Sequence, residues 1–181
     1  MPVGFHVTYW DDLEWKDRLG SYEYTKRQRK YADQWKAPSI YTPGVVLNGE
    51  QWRGWAGGHS IPENPLPSPG RLEIRVEDDD KFIAVFYPGN QAGDFSVSFA
   101  LLGFGIHSDI KKGENRGRQL QHNFAVLDFK EVRLLKKDGR FSAVVKLKSQ
   151  KEMEPERSGV AAWVTQKGSM KPLQAAGGYL D

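Results

Sequence analysis

Short runs of alternating apolar and polar residues fill the sequence after residue 70, and this pattern restricts the fold more than any other feature. In 95–104 nearly every second residue is apolar, from Phe95 to Leu101, which is the period of a strand with one buried face. Asp138-Gly139 separates two further runs and is a strong hairpin signal. The predicted strands cover 71–77, 81–87, 95–104, 124–135, 141–147, 160–165 and 172–180.

Residues 56–70 separate this region from the first part of the chain. They contain Gly57-Gly58 and four prolines, at positions 62, 65, 67 and 69. Prolines at this density permit neither a helix nor a central strand, so we predict a semi-rigid linker and a domain boundary. The strands that follow predict an immunoglobulin-like β-sandwich over 71–181.

The first part of the chain combines a strand pattern with a helix pattern. Residues 3–10 alternate like a strand that is apolar on both faces. Ser21 is a suitable N-cap for a helix over 22–36. The helix is expected to bury one face, formed by Tyr24, Gln28, Tyr31, Ala32 and Trp35. Its basic residues are expected to form a solvated face, in preference to a nucleic-acid site; they are Lys26, Arg27, Arg29 and Lys30.

A turn, a short apolar run and a second turn follow the predicted helix. Val45 to Leu47 reads as a buried strand, and Asn48-Gly49 predicts a tight hairpin, since both positions of the favoured turn need a positive φ. Thr42-Pro43 precedes the apolar run, where a cis peptide costs little and fixes a tight entry. We therefore predict a cis bond between these two residues.

Composition excludes several classes of function. The 181 residues include no cysteine, so the sequence carries no disulfide, cysteine metal site or thiol catalysis. The net charge of +3 is small and no long basic run occurs, so nucleic acid is not the predicted partner. The first residues lack the pattern of a signal peptide, and no apolar stretch is long enough to span a membrane.

Two groups of residues resemble one family of bacterial secreted proteins of unknown function. The first group comprises 4–17, 25–32 and 40–49, and the second is the run 113–123, which is similar to a Gly-Glu-Asn-x-Gly-Arg motif followed by His-Asn. Members of that family have a thioredoxin-like domain followed by a β-rich domain. The resemblance implies an α/β plus all-β fold: a partial thioredoxin-like unit over 1–55, the linker 56–70, and the β-sandwich over 71–181.

The sequence departs from that family at two places. The family's first strand and Cys-x-x-Cys have no counterpart here, and the Gly/Pro-rich linker replaces the helix expected after the hairpin. The resemblance then implies a sheet with an open strand edge, which invites pairing with a partner or a second copy of the chain. It also implies a periplasmic or secreted location.

The resemblance brings two loops to one end of the thioredoxin-like sheet. The candidate ligand-binding residues are Trp10, Asp11, Asp12, Trp15, Tyr41, Thr42 and Pro43. They would form an aromatic and acidic surface suited to a peptide or a sugar. In the alternative interpretation the tryptophans are core residues and the aspartates form turns. The acidic residues lack the alternating ligands, the glycine and the terminal glutamate of a calcium loop, so we predict no metal.

The second motif is predicted to be structural. Its residues are Glu114, Asn115, Arg118, His122 and Asn123. We expect an ion pair between Glu114 and Arg118 and a hydrogen bond from His122 to a loop backbone, in preference to acid–base catalysis. The sequence contains no recognisable nucleophile or phosphate-binding motif, so we predict no catalytic residue and no cofactor.

Three functions remain open from the sequence. The preferred one is a non-catalytic binding or structural module of the cell envelope, which binds a protein or peptide at the proline-loop end or at the open edge. A second is the C-terminal part of a thiol–disulfide oxidoreductase whose cysteine-bearing segment lies outside this chain. A third is a carbohydrate-binding module that uses exposed tryptophans.

Overall fold

The computed structural model describes residues 1–9, 11, 16–62, 69–110, 116–149 and 153–180. Within these ranges the protein has one α-helix, one short 3₁₀ turn at Gly54–Gly57 and twelve strands. The elements are α1 Tyr22–Trp35, β1 Val46–Leu47, β2 Glu50–Gln51, β3 Arg71–Asp78, β4 Lys81–Tyr87, β5 Phe95–Phe104, β6 Ile106–Asp109, β7 Gln119–His122, β8 Ala125–Arg133, β9 Leu135–Lys137, β10 Arg140–Lys146, β11 Arg157–Gln166 and β12 Pro172–Leu180.

Two antiparallel sheets of four strands pack face to face. The first sheet has the order β3-β4-β10-β9, and the second has the order β12-β11-β5-β8. Phe95 of the second sheet contacts Phe86 and Phe141 of the first, edge to face, with centroids 5.2 and 4.9 Å apart. The alternation predicted for β5 places its apolar residues between the sheets, where Phe95, Val97 and Phe99 are almost fully buried.

The outer face of the second sheet is covered by α1 and the N-terminal segment. Tyr24 of the helix packs with Leu102 and Val126 of the sheet, and Phe5 lies against them. The Phe5 ring meets Tyr24 and Phe129 edge to face, with centroids 5.2 and 5.3 Å apart. The protein is therefore layered as helix, sheet and sheet, and the helix closes a second apolar cluster outside the main core.

Local sequence signals set the start of the helix and the turn of the first hairpin. Ser21 caps α1 and accepts a hydrogen bond from Glu23 N–H, as predicted. Asn48 and Gly49 have φ values of 52° and 84°, which is the conformation that the predicted hairpin requires. A Cβ on Gly49 would lie 2.7 Å from Lys171 Cα, so the hairpin packs closely against the turn between β11 and β12.

The predicted α/β plus all-β fold class is wrong, because the described part of residues 1–55 forms no thioredoxin-like unit. Residues 3–9 are not a strand: Gly4 makes a single parallel bridge, to Ala125. The alternation there has another cause, since Phe5 packs on the sandwich while the polar Thr8 binds Thr25. β1 pairs with β2 in a separate two-stranded sheet, so the open-edged sheet proposed for pairing with a partner does not form.

Most strands after residue 70 lie where the alternation predicts them. One predicted strand is divided in two, and one hairpin is present that was not predicted. The predicted strand 124–135 is split, because the chain leaves the second sheet at the buried Leu134 and joins the first as β9. The hairpin of β6 and β7 was not predicted, because its residues are mostly polar and exposed and so show no apolar alternation. No described helix is long and apolar enough to cross a membrane.

One part of the helix prediction is wrong. The sequence predicts Arg27 on the solvated face, but Arg27 is only 9% exposed and Thr25 is 1% exposed. Tyr24 and Ala32 are buried as predicted. The buried face is therefore wider than hydrophobicity indicates, because neighbouring segments supply partners for two polar side chains.

Candidate functional site

A small cleft lies between α1 and the loop that follows it. Its walls are formed by Tyr31 and Trp35 of the helix and by Tyr41 and Val45 of the loop, and its volume is about 40 Å³. The rings of Tyr31 and Trp35 stack at 5.1 Å, and Trp35 Nε1 donates to the Gly49 carbonyl at 3.0 Å. The cleft is thus an aromatic site whose shape is fixed by packing and by the hairpin.

Two residues that line this cleft each bury a polar atom that has no hydrogen-bond partner in the described residues. The two atoms are Gln28 Oε1 and the Tyr41 hydroxyl oxygen. Gln28 Nε2 donates to the Tyr41 carbonyl at 2.6 Å. This bond fixes the orientation of the amide, because only its NH₂ group can donate to a carbonyl. A buried polar atom without a partner costs about 1–3 kcal/mol, so both atoms favour a bound group that bonds to them.

The mouth of the cleft carries the proline loop. The peptide bond between Thr42 and Pro43 is cis, which is the geometry expected from the sequence. Thr42, Pro43 and Gly44 are exposed, so this part of the loop is accessible to a ligand. The guanidinium carbon of Arg53 lies over the Tyr41 ring, 5.7 Å from its centroid, and places a positive charge beside this loop.

The structure brings together only part of the predicted ligand surface. Tyr41, Thr42 and Pro43 are neighbours at the cleft, while Trp10, Asp12 and Trp15 lie outside the described residues. Asp11 Oδ1 accepts a long hydrogen bond from Asp17 N–H at 3.4 Å. Within the described chain, no hydrogen bond, ion pair or ring contact joins Asp11 to the proline loop. Sequence reasoning assigned Gln28, Tyr31 and Trp35 to a buried helix face and missed their part in a cleft.

A second cluster, the histidine corner, consists of His6, Asp17 and His122. His6 Nδ1 and Asp17 Oδ2 are 2.5 Å apart, and the rings of His6 and His122 meet edge to face at 5.2 Å. Of these three residues the sequence analysis selects only His122 as a site residue. His6 and Asp17 are eleven residues apart, and a His and an Asp at this spacing match no motif. In the described ranges no three His, Asp or Glu side chains are placed to hold a metal ion.

The second motif is partly visible. Glu114 and Asn115 lie outside the described residues, so the ion pair expected between Glu114 and Arg118 stays a prediction. Asn123 Oδ1 accepts a hydrogen bond from Gly105 N–H at 3.0 Å and ties two turns of the sandwich together. His122 Nε2 is buried without a hydrogen-bond partner in the described part of the chain, so that nitrogen does not make the backbone tie expected of His122.

Burial and neighbouring charges shift two pKa values in the histidine corner. Burial alone would raise the pKa of Asp17, but hydrogen bonds from His6 and from Leu19 N–H outweigh it and lower that pKa. Burial lowers the pKa of His122. The charges of His6, Arg18 and His107 lower it further, against an opposing effect of Asp17. The corner therefore resists protonation at both groups.

Acidification is expected to destabilise the protein in two steps. The unfolded chain protonates His122 near the ordinary pKa of 6.5, before the native state does, so stability falls as the pH drops below that value. Asp17 contributes stability above its ordinary pKa of 3.8, and this is lost as the pH falls further. Urea midpoints measured from pH 8 to pH 3 should show both steps, and His122→Gln should flatten the first. An unchanged profile in that variant would contradict the assignment.

Fold and site together define a helix-covered β-sandwich protein with an aromatic cleft beside its helix. The chain belongs to the DUF1223 family, described as proteins of unknown function, whose model matches residues 1–165. It is similar in fold to an X-ray structure of an Agrobacterium tumefaciens protein from a structural genomics consortium, with 21% identity, a TM-score of 0.60, and coverage of 98% of this chain and 78% of that one.

A second solved structure has a weaker similarity. The bromine derivative of BhCBM56 has 14% identity and a TM-score of 0.30, covering 64% of this chain and 91% of that one. A similarity at this level supports no conclusion about fold or function. No curated protein matches the chain with significant similarity.

Proposed function

We propose that this protein is a non-catalytic binding protein and that its ligand is an extended peptide held at the aromatic cleft. The observation that carries the proposal is the pair of buried atoms, Gln28 Oε1 and the Tyr41 hydroxyl, which have no partner within the described chain. A ligand group that donates to Gln28 Oε1 and bonds to the hydroxyl removes the cost of burying both.

The size of the cleft determines how much of a ligand it can enclose. Its volume of about 40 Å³ is far below the roughly 300–1,000 Å³ of sites that enclose a whole small molecule. Only one small polar group can enter, so the rest of the ligand must lie across the exposed Thr42, Pro43 and Gly44. An extended peptide has this form, because it presents side chains singly and offers backbone groups to the loop.

The residues that line the cleft favour ligand binding over catalysis. The cleft is lined by aromatic, amide and aliphatic groups and by Ser39. In the part of the chain that the structure describes, this lining contains no His, Asp, Glu, Lys or Cys side chain that could activate a hydroxyl or act as a general base, and it suits recognition of a ligand. The sequence contains no cysteine, and thiol–disulfide exchange requires a thiolate. The described residues of the aromatic cleft therefore support ligand binding, whereas no residue of this sequence supports thiol–disulfide exchange.

Peptide arrays can test the proposal. Acetylated, amidated hexapeptides with one varied central residue should bind the wild-type protein best when that residue is small and carries a hydroxyl or amide. Tyr41→Phe and Gln28→Met should each weaken the selected peptide by about 2- to 10-fold, the value of one neutral hydrogen bond. Tyr22→Phe is the matched control, because Tyr22 is 57% exposed on the same helix and lies away from the cleft.

Melting temperatures separate binding from folding in this experiment. Tyr41→Phe should melt within a few degrees of the wild type, since it keeps the shape of the ring and removes a polar atom that lacks a partner. Gln28→Met also loses the hydrogen bond from Gln28 Nε2 to the Tyr41 carbonyl and should melt lower, so Tyr41→Phe is the cleaner test of binding. If no peptide binds, or if Tyr41→Phe and Gln28→Met bind like the control, the cleft is not the ligand site.

A further inference from the structure

A second and larger groove lies on the other side of α1, between the helix and the outer face of the second sheet. Its volume is about 300 Å³, which is at the low end of small-molecule sites. The turn between β11 and β12 forms one wall. Gln34 fixes that wall to the helix, because its amide donates to the Gly168 carbonyl at 3.0 Å and accepts from Met170 N–H at 3.3 Å.

Arg27 stands at one end of this groove with its guanidinium enclosed by aromatic rings. The ring centroids of Phe5, Tyr31, Phe129 and Trp163 lie 5.3, 5.3, 4.9 and 5.2 Å from its Cζ, and its side chain is only 10% exposed. Aromatic faces interact favourably with the cation. They offer no acceptor for the N–H groups at the edge of the guanidinium.

The hydrogen-bonding capacity of this guanidinium is largely unused. It has five N–H donors, but within the described residues it makes one hydrogen bond, a long one of 3.3 Å to the Tyr31 hydroxyl. Its ion pair with Glu131 spans 3.7 Å, which is beyond hydrogen-bond distance. Two parallel N–H donors without close acceptors match the two oxygens of a carboxylate.

The rest of the groove favours a small anion of single charge. Ser98 and Thr165 are buried on its floor, with exposures of 1% and 7%, and their hydroxyl groups can bond to a ligand. Arg27 and Lys30 supply two positive charges, but Asp33 and Glu131 balance them. A lining without net charge attracts a doubly charged phosphate poorly, whereas a carboxylate placed on the Arg27 fork needs only one cation.

We infer that the groove between α1 and the second sheet binds a small carboxylate through the guanidinium of Arg27. Glu131 is half exposed, with 48% of its side chain accessible, and is the group with which such a ligand competes for the cation. The groove is separate from the aromatic cleft. Tyr31 is common to both, since its ring lines the cleft and its hydroxyl bonds to Arg27.

NMR titration of the full chain with sodium acetate tests this inference. The Nε–H signal of Arg27 and the indole N–H signal of Trp163 should shift with added acetate until the shift saturates. Sodium chloride keeps the ionic strength constant and, added alone, is the reference titration. Glu131→Gln should tighten acetate binding by about 3- to 10-fold, because it removes the competing charge. Arg29→Gln is the matched control, since Arg29 is exposed on the same helix, and should leave binding unchanged.

Further arms identify the source of the carboxylate and the result that would overturn the proposal. If the groove recognises peptide ends, alanyl-alanine with a free C-terminus should bind at least as tightly as acetate, and alanyl-alanine amide should not bind. If the ligand is a free acid, acetate should bind and alanyl-alanine should not. Arg27→Gln should abolish acetate binding. If that variant does not fold, the tighter acetate binding expected of Glu131→Gln still tests the inference. Absence of saturation in both the wild type and Glu131→Gln, or equal binding of phosphate and acetate, would overturn the inference.

Discussion

A fragment of residues 71–181 is expected to fold cooperatively but to melt at a much lower temperature than the whole chain. Among the described residues, the core between the two sheets contains a single buried residue from before position 71, which is Leu19. The cluster on the outer face of the second sheet, however, depends on Tyr24 and Phe5 for its cover. Exposing such a face costs on the order of 3–6 kcal/mol, at about 1.5–3 kcal/mol for each large side chain lost from it.

Thermal melts by circular dichroism and binding of a hydrophobic dye would check this expectation. The fragment should bind the dye, since the exposed face presents Leu102, Phe104 and Val126, which are buried in the whole chain. A longer fragment that begins at residue 20 retains α1 and should recover part of the lost stability. A fragment 71–181 that is unfolded would contradict an independent sandwich, and one that melts like the whole chain would contradict a stabilising role for the helix layer.

Local signals in the sequence predict much of the fold. The alternation in β5, the N-cap Ser21 and the positive φ of Asn48 and Gly49 each depend on a few neighbouring residues, so the sequence alone is sufficient to place them. The strand predicted at 3–10 fails because alternation does not reveal whether a neighbouring strand exists. In the structure the polar residues of that segment find side-chain partners, as Thr8 does in Thr25.

The candidate sites depend on contacts between distant parts of the chain. Arg27 is buried because Phe5, Phe129 and Trp163, from three separate segments, surround its guanidinium, and no helical periodicity predicts a buried cation. The sequence predicts Tyr41 as a site residue of the proline loop, but only the folded structure shows that its hydroxyl is buried without a partner among the described residues. A thioredoxin-like arrangement would have paired this loop with residues 10–15, whereas the structure pairs it with Gln28.

Replacing Phe95 by alanine is expected to lower the free energy of unfolding by about 3–5 kcal/mol, the usual cost of removing a buried aromatic ring. Phe95 is 1% exposed and meets Phe86 and Phe141 of the opposite sheet edge to face. Each aromatic pair contributes about 0.5–1.5 kcal/mol beyond the area that it buries. The substitution therefore removes a contact that holds the two sheets together.

Urea denaturation measures this effect, and two further variants give it a scale. Phe95→Leu fills most of the space and should cost clearly less than Phe95→Ala. Val144→Ala lies in the same sandwich at 56% exposure and should change stability by no more than about 0.5 kcal/mol. If Phe95→Ala cost as little as Val144→Ala, the sheets would not be joined through this ring. The aromatic cleft and the groove between α1 and the second sheet lie outside the core, so a Phe95→Ala protein that remains folded should behave like the wild type in both proposed binding tests.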